Sequence, residues 1–397
     1  MLMGGGDKGA SAGPLDVLFV ISGLGVGGSE RQLALLASAL ARSGVATAVY
    51  AIGDGPVRLE MESDGVEVLV GPAGPPTGIT AVAKTAIDLF SVMRRRRPHI
   101  VHFFLPAAFM IGAPLALMAG VPVRIMSRRS LNTYQRHVFS RLGERCCLRT
   151  IHAALGNSRR VVAQLLQEGV PPARVGLIYN GVAGQNGDES RSDARARLRL
   201  APDALVMTMV ANLIPYKGHA DLVDALALAR PHLPAGWRLL AVGRDDGIGT
   251  ALKQRVRDLG MYDNVVFLGS RNDVGAILAA SDVGILCSHQ EGFSNAVLEA
   301  MAAGLPMIVT EVGGNAEAVI DGETGLVVPA RDSKALAAAI VRVAGDPALR
   351  AAFGAAGRQR VRDEFGIDRF VHLHRAVYAA LDGGRLPADV ASLAVAP

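Results

Sequence analysis

At 397 residues the chain exceeds the size at which one hydrophobic core stops growing, so two domains of roughly 150 to 200 residues each are expected. Half of the residues are hydrophobic and 19% are charged, which excludes extended disorder and supplies the apolar runs that buried parallel sheets require. The net charge of +5 is unevenly placed: through Asn180 there are 19 Lys and Arg against 11 Asp and Glu, and after it 22 against 25.

The beginning, Met1 to Pro14, is Gly-rich and lacks an apolar run, which excludes an ordinary signal peptide and predicts a flexible tail over residues 1–13. Strand-like runs then alternate with helical patterns: Val17–Ile21, a glycine loop and a helix from about Ser29 to Ser43, then Thr47–Ile52, Val66–Val70, His99–Phe104, Val123–Ser127 and Ala153–Asn157. The most apolar stretch, Phe103–Val123, is interrupted by Pro106, Pro114 and Pro122 and reads as a buried helix with flanking loops rather than a membrane span. A Pro-, Gly- and charge-rich passage from Gly181 to Arg199 separates a second series, Leu205–Ala211, Trp237–Gly243, Val265–Leu268, Val283–Cys287, Met307–Thr310 and Gly325–Val328. Three helical segments follow, Asp332–Gly345, Pro347–Phe365 and Ile367–Leu381.

Alternating strands and helices define an α/β protein of two doubly wound, Rossmann-like domains. Their expected limits are 14–185 and 190–365, with a C-terminal helix at about 366–382 crossing back to the first domain and a flexible tail at 384–397. Ligands in such sheets bind at the carboxyl ends of the strands, so a site is expected in a cleft where two such domains face each other, with hinges near 181–187 and 365–367.

Gly23, Gly25 and Gly28 satisfy GxGxxG after a strand and before a helix, the setting of a dinucleotide fingerprint. The acidic residue that would grip the adenosine ribose is missing, because Asp54 follows Gly53 and comes too late. What remains is a glycine loop at Gly27 and Gly28 whose N–H groups and helix start suit a phosphate; the plain alternative is a tight turn.

The segment Glu291-Gly292-Phe293-Ser294-Asn295-Ala296-Val297-Leu298-Glu299 follows a buried strand and opens a helix. Ser294 or Asn295 caps that helix, free N–H groups at Gly292–Asn295 suit a diphosphate, and Glu291 and Glu299 can accept paired hydrogen bonds from vicinal hydroxyls. Either carboxylate can equally be an ordinary surface or cap residue. Lys217 lies at a helix entrance, where a cation is unfavourable unless an anion is also present, and this suggests a phosphate ligand.

Taken together, Gly27-Gly28-Ser29-Glu30-Arg31, Asn157-Ser158, Tyr179-Asn180-Gly181-Val182, Lys217-Gly218-His219, Glu291 to Glu299 with Ala300 to Pro306, Gly313-Gly314-Asn315 and Thr324-Gly325-Leu326 resemble the retaining GT4-type glycosyltransferases over nearly the whole chain. The resemblance implies the GT-B fold, a nucleotide-diphosphate sugar as donor and no cofactor. It also implies that Lys217 binds the diphosphate, Glu291 touches the donor sugar, Glu299 holds the ribose, and backbone at Gly28 and Phe293–Asn295 cradles phosphate and sugar. The loop carrying Arg271 would meet the base.

Two positions depart from the family. Asn212 stands where an arginine usually precedes the lysine by five residues, leaving Arg128 and Arg129 as candidate second cations; Met126-Ser127-Arg128-Arg129-Ser130 occupies the place of the usual catalytic histidine. His102, at the end of the fourth strand, can contact the sugar or be a satisfied core histidine.

The chemistry expected is metal-independent. Breaking the anomeric bond develops negative charge on the diphosphate, which Lys217 and helix ends can neutralise, and no Asp-x-Asp supplies metal ligands. Rival readings are a sugar-nucleotide hydrolase or epimerase, a noncatalytic sugar-nucleotide-binding protein and, weakened by the missing ribose acid, an NAD-dependent oxidoreductase. The basic first half and the run Arg94–Arg97 suit an anionic contact, a solvated helix end being the plain alternative. A sugar or lipid-linked acceptor at the inner membrane face is the expectation that follows. Low aromatic content and the lack of a binding motif argue against nucleic acid. The three cysteines form no CxxC and no disulfide framework, which fits a cytoplasmic protein peripheral to that membrane.

Overall fold

A computed structural model describes residues 16–72, 78–131, 138–183, 189–381, 385–387 and 390–391. The tail expected at 1–13, most of that at 384–397 and the hinge residues 184–187 lie outside the described residues. By contact the chain divides into two compact units, Met1–Gly156 with Val162–Leu177 and Leu373–Pro397, and Asn157–Val161 with Ile178–His372.

Among the described residues the first unit contains seven strands, β1 (Val17–Ile21), β2 (Thr47–Ala51), β3 (Glu67–Val70), β4 (Ile100–Phe104), β5 (Val123–Arg128), β6 (Ala153–Gly156) and β7 (Val175–Leu177), in the order β3-β2-β1-β4-β5-β6-β7. All pairs are parallel, as in β1 with β4, where Val17 lies beside Ile100 and Ile21 beside Phe104. Strands β1, β2 and β4 are buried at every position, which is why they read as unbroken apolar runs. The second unit repeats the plan with six strands, β8 (Val206–Val210), β9 (Arg238–Val242), β10 (Val265–Gly269), β11 (Val283–Leu286), β12 (Met307–Thr310) and β13 (Gly325–Val328), ordered β10-β9-β8-β11-β12-β13. Strand order reverses between β1 and β4 in one sheet and between β8 and β11 in the other. Those are the two switch points where doubly wound sheets bind ligands.

Local structure corrects several expectations. The passage 181–199 is not all linker: Arg191–Arg197 is helical, with Ser190 accepting a hydrogen bond from the Asp193 N–H. Arg191 and Arg195 both engage Asp282, at 2.5 and 2.7 Å. Strand β7 was not expected; its three residues are too few to show a period. The segment 347–365 splits into a helix Pro347–Arg360 and a π-helical turn Val361–Phe365.

Within Phe103–Val123 the helix is Pro106–Met118, and no described helix is long and apolar enough to cross a membrane. The arginine run ends the helix Ile79–Arg96: Arg96 makes a two-pronged contact with Glu67, at 2.5 and 2.7 Å, while Arg94, Arg95 and Arg97 are exposed. The helix Ile367–Leu381 is divided by contact, with residues to His372 counted in the second unit and those from Leu373 in the first.

Candidate active site

In the second unit the chain leaves β8 through Asn212–Ile214 and a 3-10 turn, Pro215–Lys217, before the helix His219–Ala229. It leaves β11 through Cys287–Ser294 before the helix Asn295–Ala302. Both loops therefore stand at the β8/β11 switch point. They approach closely because Gly218 has φ +76°, and a Cβ there would lie 2.0 Å from the Cys287 carbonyl oxygen. The His289 N–H donates to the Tyr216 carbonyl at 2.6 Å, and His289 Nε2 contacts Asp221 Oδ2 at 2.6 Å.

This packing brings Lys217 and Glu291 together. Lys217 Nζ donates to Glu291 Oε1 at 2.5 Å, and the Ser288 hydroxyl donates to the same oxygen at 2.7 Å. Both side chains remain partly exposed, at 18% and 10%, so the pair is reachable from solvent. The counter-charge that the position of Lys217 demanded is thus supplied by Glu291. Lys217 also lies over the Tyr216 ring, 5.4 Å from its centre.

The glycines downstream of β12 shape the same loop. A Cβ on Gly313, which has φ +54°, would sit 2.0 Å from the Glu291 carbonyl, and one on Gly314 would sit 2.4 Å from Phe293. The Gly314 N–H donates to the Gly292 carbonyl at 2.7 Å. Asn180 Nδ2 donates to the Phe293 carbonyl at 2.9 Å and to Asn295 Oδ1 at 2.6 Å. Ser294 is the N-cap residue, but its hydroxyl makes no capping bond, so the expected side-chain cap is absent. Glu299 is half-buried on the same helix.

Asn212 Oδ1 accepts the Arg244 N–H at 3.1 Å, tying the end of β8 to the end of β9. That places Arg244, a residue the sequence reading passed over, one strand from Lys217. Its guanidinium engages Asp246 at 2.6 Å and stays 61% exposed. Arg271, after β10, pairs with Asp273 at 2.7 Å, and Asp273 is also held by Arg197 at 2.6 Å. These guanidinium contacts hold the Asp273 carboxyl down to about 2.

In the first unit Arg128 and His102 are buried, and Arg129 is half-buried. His102 is fully buried, with Nδ1 2.8 Å from the Tyr378 hydroxyl and Nε2 2.8 Å from the Ser127 hydroxyl. Burial, with His374 and Arg129 adding to it, drives its pKa well below the usual value. Both ring nitrogens are thus engaged by hydroxyls of the same unit. Arg128 is 5% exposed and clamps two carboxylates, Glu144 and, at 2.5 Å, Glu168. It forms a charge triad with them. Arg129 lies over the Phe104 ring at 5.2 Å, and burial lowers its pKa to about 9.

At the glycine loop, Gly27 precedes the helix Gly28–Arg42. A Cβ on Gly27 would lie 2.3 Å from the Glu30 carboxylate, so an acidic group of the protein itself stands at this helix start. Leu105, after β4, has φ +68° and ψ 148°, a strained backbone at the switch point of this sheet that no local sequence signal announced.

Two doubly wound parallel sheets in succession, one with a lysine–carboxylate pair at its switch point, place the chain among the GT-B proteins. The family model "Glycosyl transferases group 1" matches residues 204–346, and "Glycosyl transferase 4-like domain" matches residues 27–181. The chain belongs to this GT4-type glycosyltransferase family. It is 32% identical over 173 residues to an N-acetyl-alpha-D-glucosaminyl L-malate synthase of Bacillus anthracis, covering 44% of this chain and 45% of that protein. It is 37% identical over 191 residues to a D-inositol 3-phosphate glycosyltransferase of Actinosynnema mirum, covering 46% of each. The chain thus spans about half the length of the curated relatives it matches. Among solved structures, Anabaena Alr3699/HepE in complex with UDP superposes with a TM-score of 0.80 at 22% identity, covering 92% of this chain and all of that one. A sucrose-phosphate synthase of Thermosynechococcus elongatus gives 0.79 at 24% identity, covering 93% and 99%. These two likenesses concern the fold.

Proposed function

We propose that the protein transfers a sugar from a nucleoside diphosphate to an acceptor hydroxyl with retention of anomeric configuration and without a metal. The observation that carries this reading is the Lys217–Glu291 pair at the β8/β11 switch point, which sets a cation for the diphosphate beside a carboxylate for sugar hydroxyls. Asn212 leaves the family's arginine position without charge, and Arg244 on the neighbouring strand end is the second cation in this proposal. Backbone N–H groups at Gly292–Asn295 line the diphosphate, Glu299 takes the ribose and Arg271 meets the base.

In the step itself the anomeric C–O bond to the β-phosphate breaks and oxocarbenium character develops in the sugar. The departing phosphate oxygen takes the acceptor hydroxyl proton as the new C–O bond forms on the same face. Lys217, Arg244 and the N–H dipoles stabilise the growing phosphate charge, the term expected to dominate such a reaction. Relatives named for inositol 3-phosphate and for malate favour an acceptor bearing an anionic group. The exposed Arg94, Arg95 and Arg97 support a cytoplasmic protein working at an anionic membrane face.

The test is a thermal-shift screen of nucleoside diphosphates and their sugar conjugates, with NAD(P) included and EDTA throughout, beginning with UDP because a structural neighbour holds it. Stabilisation by one base and its conjugate, lost in Lys217→Ala, is expected; a ligand at a hundred times its Kd adds about 2.7 kcal/mol. Stabilisation by NAD(P) alone, or transfer that requires added metal, overturns the reading.

A further inference from the structure

The first unit carries a cavity that the proposed reaction does not use. It lies between the C-terminal ends of the helices Val138–Leu148 and Arg159–Gln167 and the turn Pro172–Arg174. Its volume is about 460 Å3, within the ordinary range for small-molecule sites, and Arg145, Leu148, Arg149, Gln167, Glu168 and Arg174 line it.

The charges around this cavity are unbalanced. Glu168 is the one acid among those lining residues, and its Oε2 already accepts from Arg128 Nη1 at 2.5 Å. Arg145 and Arg149 form no ion pair among the described residues. Among the described residues Arg174 donates only to a neutral group, the Ile151 carbonyl, at 3.3 Å. The positive field reaches the neighbouring His152, whose pKa is lowered by burial first and by Arg124 and Arg174 next.

A cation at the end of a helix is favourable by itself, and that accounts for Arg145 in the last turn of its helix. It does not account for Arg149, beyond that helix, or for Arg174, from a separate segment, converging on the same hollow. Guanidinium groups meet phosphate with paired N–H donors, and three of them around one concavity leave a counter-charge to be supplied.

We propose that this cavity binds a phosphate-bearing anion, the headgroup of an anionic lipid or a free phosphorylated molecule, at a place separate from the donor site. The volume exceeds what a lone phosphate fills, so a diphosphate or a phosphorylated polyol suits it better. Leu148 and Pro171 supply an apolar edge against which the uncharged part can rest.

The experiment uses the full chain carrying Lys217→Ala, so that the donor site does not contribute, with and without Arg149→Ala and Arg174→Ala together. Both arginines are exposed, so the fold should survive, and an unchanged melting temperature checks this. Calorimetric titration with inorganic pyrophosphate reads the free-ligand arm. Flotation with phosphatidylcholine vesicles, with and without phosphatidylglycerol, reads the headgroup arm. Pyrophosphate binding that weakens about tenfold or more in the arginine variant assigns a free phosphorylated ligand. Flotation that depends on phosphatidylglycerol and is lost in the variant, without pyrophosphate binding, assigns a lipid headgroup. Failure of both probes to bind, or equal binding by the variant, overturns the proposal.

Discussion

Lys217 and Glu291, 74 residues apart, meet at 2.5 Å across the switch point of the second sheet. The carboxylate keeps the ammonium oriented but also opposes a diphosphate arriving at it. Glu291→Gln should therefore bind a nucleoside diphosphate about tenfold more tightly while losing transfer by about a hundredfold, because the sugar contact is weakened. Calorimetry and initial rates on one preparation check this, and parallel losses in both would remove the opposition argument.

Arg244 stands beside Asn212 on adjacent strand ends. If it is the second cation, Arg244→Ala should lower kcat/KM by about ten- to a hundredfold, and Asn212→Arg in that background should recover most of the loss. A normal rate in Arg244→Ala would assign the second charge elsewhere.

His102 is held by Ser127 and Tyr378 in the core of the first unit, and its replacement is expected to affect folding rather than chemistry. His102→Ala should cost about 3 kcal/mol from the cavity and two hydroxyls left without their partner, while kcat of the folded fraction stays within about threefold of wild type. Urea unfolding beside active-site-normalised kinetics separates the two. A large fall in kcat at full stability would restore the catalytic role.

His219, 4% exposed, has its pKa lowered to about 4 by burial, with Lys217 adding to the effect and the Ala211 carbonyl opposing it. A depressed folded value means that the unfolded chain binds the proton more readily. This stabilisation is therefore complete above the unfolded value near 6.5 and is lost as pH falls toward 4, by about 3 kcal/mol in all. The unfolding free energy of wild type should fall between pH 7 and 5 by more than that of His219→Leu. Identical pH slopes would contradict the assignment.

Gly218 has positive φ and no room for a Cβ against Cys287. Gly218→Ala should destabilise the protein by about 2 to 4 kcal/mol and displace Lys217, lowering the melting temperature and donor affinity together. Wild-type melting in this variant would show that the two loops need not approach so closely.

The sequence by itself determined what depends on local periodicity and on motifs. The all-buried runs at β1, β2 and β4 announced parallel sheets, and Lys217 with Glu291–Glu299 marked the family, while the switch point between β8 and β11 came from the strand order. Tertiary structure decided what depends on partners far along the chain. Arg128, Arg129 and His102 look identical in sequence whether they face a substrate or a core. Glu144 and Glu168 hold Arg128 inside, Tyr378 holds His102 there and Phe104 lies under a half-buried Arg129, through contacts that no pattern of neighbours reports. Arg244 was missed for the same reason, because its nearness to Lys217 is set by β9 lying beside β8. A charged side chain carries its chemistry in its formula, whereas its availability is fixed by burial and counter-charge, and both of those belong to the folded chain.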